Sequence, residues 1–288
     1  MERYDFEDIE LTYELRGGGQ PVVLVHASSF ISWYNPLVEH LDGFATLRYR
    51  RRLRSVGPSG YRPLTVEEDA EICRRLMDHI DWGRAHIVGH SYGALVALQM
   101  AIDAPERVAT VALLEPAARG ISSAEQVVAA LRPIIAAYRS GDNAAAVDGF
   151  LRHVCGDGYR ASLDSALPGA YEQALGESDL FFQSEMAAVQ SWSFGPDEAR
   201  LVTQPVLNVV GRQSVPRFVQ AGELVQSWFP DAERLFIPDA GHLLMVQNPN
   251  AVADGLGDFF RRHPIDTLSV GASTDLRTSS RTEPPEST

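Results

Sequence analysis

Ser91 stands inside Gly89-His90-Ser91-Tyr92-Gly93, a G-x-S-x-G pentapeptide, and a serine hydroxyl in that setting is a candidate nucleophile. A turn from strand to helix is so tight that small residues must flank the serine, and the helix start beyond it favours negative charge as it develops. A hydroxyl attacks poorly until a base takes its proton, so a histidine has to come within reach. His242 is the best placed. It follows the apolar run Leu235-Phe236-Ile237 through Pro238-Asp239-Ala240-Gly241, and it precedes Pro249 and a last helical pattern. The other histidines have simpler structural readings, including His90, whose ring is expected to pack beneath the turn.

The elements that must hold these residues can be read from the apolar pattern. Ala85-His86-Ile87-Val88 is a short β-type run before the pentapeptide, and Ala94, Leu95, Ala97, Leu98, Met100 and Ala101 keep helical spacing after it, as far as Pro105. Phe6, Ile9, Leu11 and Tyr13 alternate as in an opening hairpin, closed by Gly17-Gly18-Gly19. Unbroken apolar runs follow at 22–25, 87–88, 108–114, 206–210 and 235–237, as in strands buried on both faces of a parallel sheet. A helical pattern at 65–80 lies between two of them, and this alternation predicts an α/β fold. From Glu115 to Pro205 the rhythm stops. Segments near 123–139, 143–154 and 168–190 are helical in character, which predicts an inserted cap at 117–200 on a core made of 1–116 and 201–264. Residues 265–288 are polar and end in Glu283-Pro284-Pro285-Glu286, the composition of a disordered tail.

Composition excludes several functions. With 38 acidic against 25 basic side chains, the formal charge of −13 argues against nucleic acid as a partner. No apolar run of about 18 residues is available to span a bilayer, and the acidic start lacks the basic and apolar regions of a signal peptide, so no membrane association and a cytoplasmic location are expected. Cys73 and Cys155 suggest neither a metal nor a redox motif, and no cofactor is expected. Arg48, Arg50, Arg51, Arg52 and Arg54 form a basic cluster, read first as a solvated loop or as ion-paired charge and second as a seat for an anion. The expected partner is a small-molecule substrate. Oligomeric state is open, a homodimer included.

Ser91 and His242 in these contexts resemble the α/β-hydrolase superfamily over roughly residues 6–262. Val25-His26-Ala27-Ser28, followed by Trp33, is similar to its oxyanion loop, and Phe236 to His242 to its histidine loop. The resemblance implies a mostly parallel twisted sheet flanked by helices, with an inserted helical cap. It also implies an oxyanion hole from the backbone N–H groups of Ser28 and Tyr92. In most members the triad acid is an aspartate after the strand that here is Pro205 to Val210, yet this chain reads Gly211-Arg212-Gln213-Ser214. A carboxylate is still needed to orient the imidazole. Glu115, after the run 108–114, occupies the site where haloalkane dehalogenase-like and zearalenone lactonase-like members place an acid, with Asp239 or a dyad as the alternatives. The implied activity is hydrolysis of a small, apolar ester or lactone through an acyl-enzyme, since dehalogenases and epoxide hydrolases need aspartate where Ser91 stands. Other serine-triad chemistry (carbon–carbon bond hydrolysis, perhydrolysis, a lyase reaction) and a non-catalytic ligand receptor are the competing readings. Phe30, Trp33, Phe181, Phe182 and Trp192 are the candidate substrate contacts.

Overall fold

Continuous apolar runs suit strands covered on both faces, and the computed structural model, which describes residues 1–7, 9–53 and 62–265, uses those at 22–25, 87–88, 108–114 and 206–210 so. The run 235–237 is a strand too, but it lies at the edge of the sheet with Phe236 exposed, so it is not covered on both faces. Strands β1 (Glu2–Phe6), β2 (Ile9–Gly17), β3 (Gln20–Val25), β4 (Phe44–Leu53), β5 (Ala85–His90), β6 (Val108–Leu114), β7 (Val206–Gly211) and β8 (Glu233–Ile237) make one sheet. Their order is β1-β2-β4-β3-β5-β6-β7-β8. The β1–β2 hairpin and the β2–β4 pair are antiparallel, and every pairing from β4 to β8 is parallel. β5, β6 and β7 are buried along their whole length.

Register decides where the chemistry sits. Val25 pairs with Gly89, His90 with Leu114, Leu114 with Val209, and Gly211 with Ile237. The segments that begin at His26, Ser91, Glu115, Arg212 and Pro238 therefore all leave the sheet at one edge, the C-terminal ends of the parallel strands, where open α/β sheets form their crevices.

Helices cover the sheet. Val66–His79 starts in a capping box, with Thr65 Oγ1 accepting from the Glu68 N–H at 3.2 Å and Glu68 Oε2 from the Thr65 N–H at 2.9 Å. It packs against Tyr92–Asp103, which lies on β5 and β6 and carries buried side chains nearly throughout. Pro249–Arg262 packs against the short Asn35–Val38 helix, and Pro216–Trp228 against β7. Among the described residues no helix is long and apolar enough to cross a membrane.

β4 was hidden by its arginines. Arg48 to Arg52 lie on a strand, not in a loop, and Arg48 is buried because its register partner on β2 is Glu14, whose carboxylate receives it at 2.7 Å, while Asn35 takes a second guanidinium N–H. Arg50 is paired with Glu177. Ion pairing thus accounts for these two charges. Arg54 lies outside the described residues, as do residues 266–288 of the stretch 265–288 read as a disordered tail, whose first residue, Ile265, is buried.

Between β6 and β7 the described chain is helical, with Ala124–Arg139, Asn143–Cys155, Tyr159–Ala166 and Ala170–Gly176 followed by shorter pieces. One of these, Phe181–Glu185, is a π-helical turn between Ser178–Leu180 and Met186–Ser191. Such single turns widen a helix locally and often occur at functional sites.

Candidate active site

The backbone of Ser91 has φ 54° and ψ −114°, a conformation that L side chains rarely adopt. It is held there from both sides, by the Ser91 N–H on the Leu114 carbonyl at 3.0 Å and by the Ala117 N–H on the Ser91 carbonyl at 3.1 Å. The flanking glycines are sterically required. A Cβ on Gly89 would overlap the Gly93 carbonyl and Ala94, and one on Gly93 would overlap the Val25 carbonyl. Tyr92 opens the helix beyond Ser91, and Ser28 opens a 3-10 helix (Ser28–Tyr34) after β3. Backbone N–H groups at such first positions have no carbonyl one turn back within their helix, which suits these two to the predicted role of oxyanion donors. His26 anchors the segment that leads from β3 to Ser28, with Nε2 2.7 Å from the Tyr49 carbonyl of β4.

Glu115 also has a positive φ, 47°, and is fully buried where β6 ends. Its Oε2 lies 2.8 Å from His242 Nδ1. Its Oε1 accepts the Gly211 N–H at 2.7 Å and the Ser214 hydroxyl. Burial raises the pKa of Glu115, and the bonds from Ser214 and Gly211 pull it back down. Burial drives His242 well below the ordinary imidazole value, with the positive charge of Arg217 acting in the same direction. The neutral imidazole that a general base requires is thereby favoured. Asp239, the alternative acid, is exposed on the turn that leads to His242.

The ring of His242 is gripped between two others. Phe218 stacks on it with centroids 3.7 Å apart and planes 7° from parallel, and His90 lies 4.5 Å away. His90 Nε2 is 2.9 Å from the His242 carbonyl, the geometry of an N–H donated to it. Ser91 and His242 face one cavity of about 100 Å³, whose wall includes Ala27, Phe30, Trp33 and Tyr92 from the core. The insert supplies Leu131, Phe150, Val154, Phe181, Met186 and Val189. Phe181 links the two groups, its ring 6.3 Å from Phe30 and 4.4 Å from Phe150. Among the described residues there is no cluster of three or more His, Cys, Asp or Glu able to hold a metal.

The model of the alpha/beta hydrolase family matches residues 22–255. The chain belongs to that family. A curated relative, the dihydrolipoyllysine-residue acetyltransferase component of the acetoin cleaving system of Pseudomonas putida, is 27% identical over 87% of this chain and 66% of its own length. The chain therefore spans about two thirds of that relative. Among solved structures, the enol-lactonase of Burkholderia xenovorans LB400 superposes with a TM-score of 0.76 at 22% identity, covering 90% of this chain and 100% of its own. Est816, described as an N-acyl homoserine lactone degrading enzyme, gives 0.70 at 22% identity with the same two coverages.

Within this family member, two of the expected substrate contacts are misplaced. Phe182 turns to Tyr138, with rings stacked 4.6 Å apart, and is not part of the cavity wall. Trp192 donates its Nε1–H to Gln99 at 2.9 Å and lines a neighbouring depression with Phe194 and Trp228. Adjacent residues on a helical turn point in different directions, and here Phe181 faces the cavity while Phe182 faces Tyr138. Sequence reasoning missed Phe218, Arg217 and Phe150, and gave His90 only a packing role. The signal available was Pro216-Arg217-Phe218, a helix start directly after the turn that lacks the usual aspartate.

Proposed function

We propose that this protein hydrolyses a small carboxylic ester or lactone with a largely apolar body, through a serine acyl-enzyme. The observation that carries the reading is the Glu115 carboxylate on His242 Nδ1 at 2.8 Å, in a cavity that Ser91 and His242 share. In the first half-reaction the Ser91 Oγ bonds to the substrate carbonyl carbon as His242 Nε2 takes the hydroxyl proton. The carbonyl oxygen becomes an oxyanion, held by the Ser28 and Tyr92 N–H groups, each contributing about 3 kcal/mol. The bond to the alcohol oxygen then breaks, and that oxygen receives the proton from His242. Water repeats the sequence on the acyl-enzyme, giving the acid and restoring Ser91. Glu115 keeps the imidazole in the tautomer with Nδ1–H and stabilises the imidazolium.

In this reading the insert at 117–200 serves as a cap that excludes water and sizes the substrate, supported by its apolar share of the cavity wall. No metal or organic cofactor enters any step, and a cytoplasmic location fits the composition. An activated ester such as 4-nitrophenyl acetate tests the proposal. The wild-type chain is expected to give a burst of nitrophenol and to label at Ser91 with a fluorophosphonate. Ser91→Ala should lose both, with kcat/KM down roughly a millionfold. A chain that neither turns over esters and lactones nor labels at Ser91 ends the hydrolase reading.

A further inference from the structure

Arg217 is a cation in the wall of an otherwise mainly apolar cavity. It is the second residue of the Pro216–Trp228 helix, next to Phe218, which stacks on His242. The described contacts of its guanidinium are not with an anion. One N–H reaches His153 Nε2 at 3.3 Å, and the group lies over the Phe218 ring, 4.9 Å from its centroid. Burial and the charge of Arg217 both lower the pKa of His153, which keeps that imidazole neutral and able to accept the bond. Among the described residues no carboxylate forms an ion pair with Arg217. The contrast with Arg48 and Arg50, each matched to a glutamate, is direct.

Burial brings the pKa of Arg217 down only to about 10, so the side chain keeps its full positive charge at neutral pH. A charge in this setting costs desolvation that a bound anion would offset, and a guanidinium fork matches a carboxylate with two parallel hydrogen bonds. Glu185, a carboxylate from the π turn, also lines the cavity but forms no ion pair with Arg217. Glu115, the other nearby acid, is taken up by His242, Gly211 and Ser214.

Resting on the hydrolase reading above, we infer that the substrate is an anionic ester or lactone whose free carboxylate is seated on Arg217, beside the reacting carbonyl. The apolar wall holds the chain between the two groups. His153 acts as a positioning residue, aiming the guanidinium without neutralising it.

Two measurements test the assignment. Matched ester pairs place the carboxylate on either half of the substrate: 4-nitrophenyl hydrogen glutarate against 4-nitrophenyl valerate, and 4-acetoxybutanoate against butyl acetate. In the wild-type chain at least one pair should favour the carboxylate in kcat/KM, and Arg217→Gln should lower that ratio by about tenfold or more, the size of one charged hydrogen-bonding contact. The ratio is read because a general loss of folding or activity cancels in it. Arg217→Lys should recover part of the preference. Titration calorimetry with glutarate needs no turnover: Ser91→Ala should bind it as wild type does, and the additional Arg217→Gln change should weaken binding by about tenfold or more. Glutarate that fails to bind, or binds equally well without Arg217, overturns the inference, as does a carboxylate preference that is absent or survives Arg217→Gln. The hydrolase reading fails by a different sign, ester turnover that persists in Ser91→Ala or is missing altogether.

Discussion

The strand-end loops and the helical insert share one cavity but are built on opposite terms. The loops hold their polar residues by backbone hydrogen bonds, by glycines that admit no Cβ, and by positive φ at Ser91, Glu115 and Asp239. The insert gives chiefly apolar side chains from short helices, joined by ring contacts such as Phe150 with Phe181. Reactivity demands a geometry that tolerates little error, whereas an apolar wall only has to exclude water and leave the right space. Arg217 bridges the two descriptions, a charge mounted on the core that looks into the apolar side.

Substitutions that strike the loops should therefore cut turnover, and those that strike the insert should alter selection. Glu115→Gln keeps the shape but removes the charge and the tautomer control at His242 Nδ1, and kcat should fall roughly ten-thousandfold in steady-state assays with little change in KM. A fall of only a few fold would move the acid elsewhere and dissolve the contrast. Ser214→Ala should cost roughly tenfold, since it deletes a hydrogen bond to a buried carboxylate. It also has a pH signature. The Ser214 hydroxyl lowers the pKa of Glu115, so without it the carboxylate takes up a proton at higher pH as the solution is acidified, and the acid limb of kcat/KM should move upward.

On the insert, Phe181→Ala and Phe182→Ala form a matched pair. The first should raise KM for apolar esters several-fold, because Phe181 is in the wall. The second should leave KM within about twofold while lowering stability by about 1–3 kcal/mol in a denaturant titration, because Phe182 packs on Tyr138. Equal effects on KM would mean that the two side chains are not divided as described.

The smallest effect expected is on stability against pH. His86, His90 and His242 all belong to the core, and burial is the leading cause that lowers each pKa, that of His86 to about 4. The unfolded chain binds protons near pH 6.5 while the folded chain does not, so stability is present above that value and falls as the pH drops below it. Melting temperature should decline steadily from pH 7 to pH 5. A flat profile would place these imidazoles in water.

The same contrast explains what the sequence disclosed. The runs at 22–25, 108–114 and 206–210 read as buried strands because burial on both faces permits few residue types; the structure keeps 108–114 as it is and extends the other two to 20–25 and 206–211. Ser91, His242 and the vacated aspartate position were legible because a strained turn, a loop before a helix and a turn after a strand each limit composition. β4 escaped because its burial depends on a partner 34 positions away in the chain, Glu14 opposite Arg48, which no local pattern reveals. Phe182 and Trp192 were misassigned for the corresponding reason, as aromatics fill a lid interior and a cavity wall equally well. Ser214 shows the limit most clearly. It was read as a gap in the constellation, yet its hydroxyl lies on the carboxylate of Glu115, the acid of the proposed triad.

Gln20, at the start of β3, accepts the Ile265 N–H at 2.7 Å on Oε1, the same oxygen that lies 3.2 Å from His86 Nε2. The last described residue is thus pinned at the end of the strands opposite the cavity. An affinity handle or a solid support joined directly at Ile265 would be anchored at the end of the strands opposite the cavity, leaving the cavity edge turned toward the bulk solution for flow-through work.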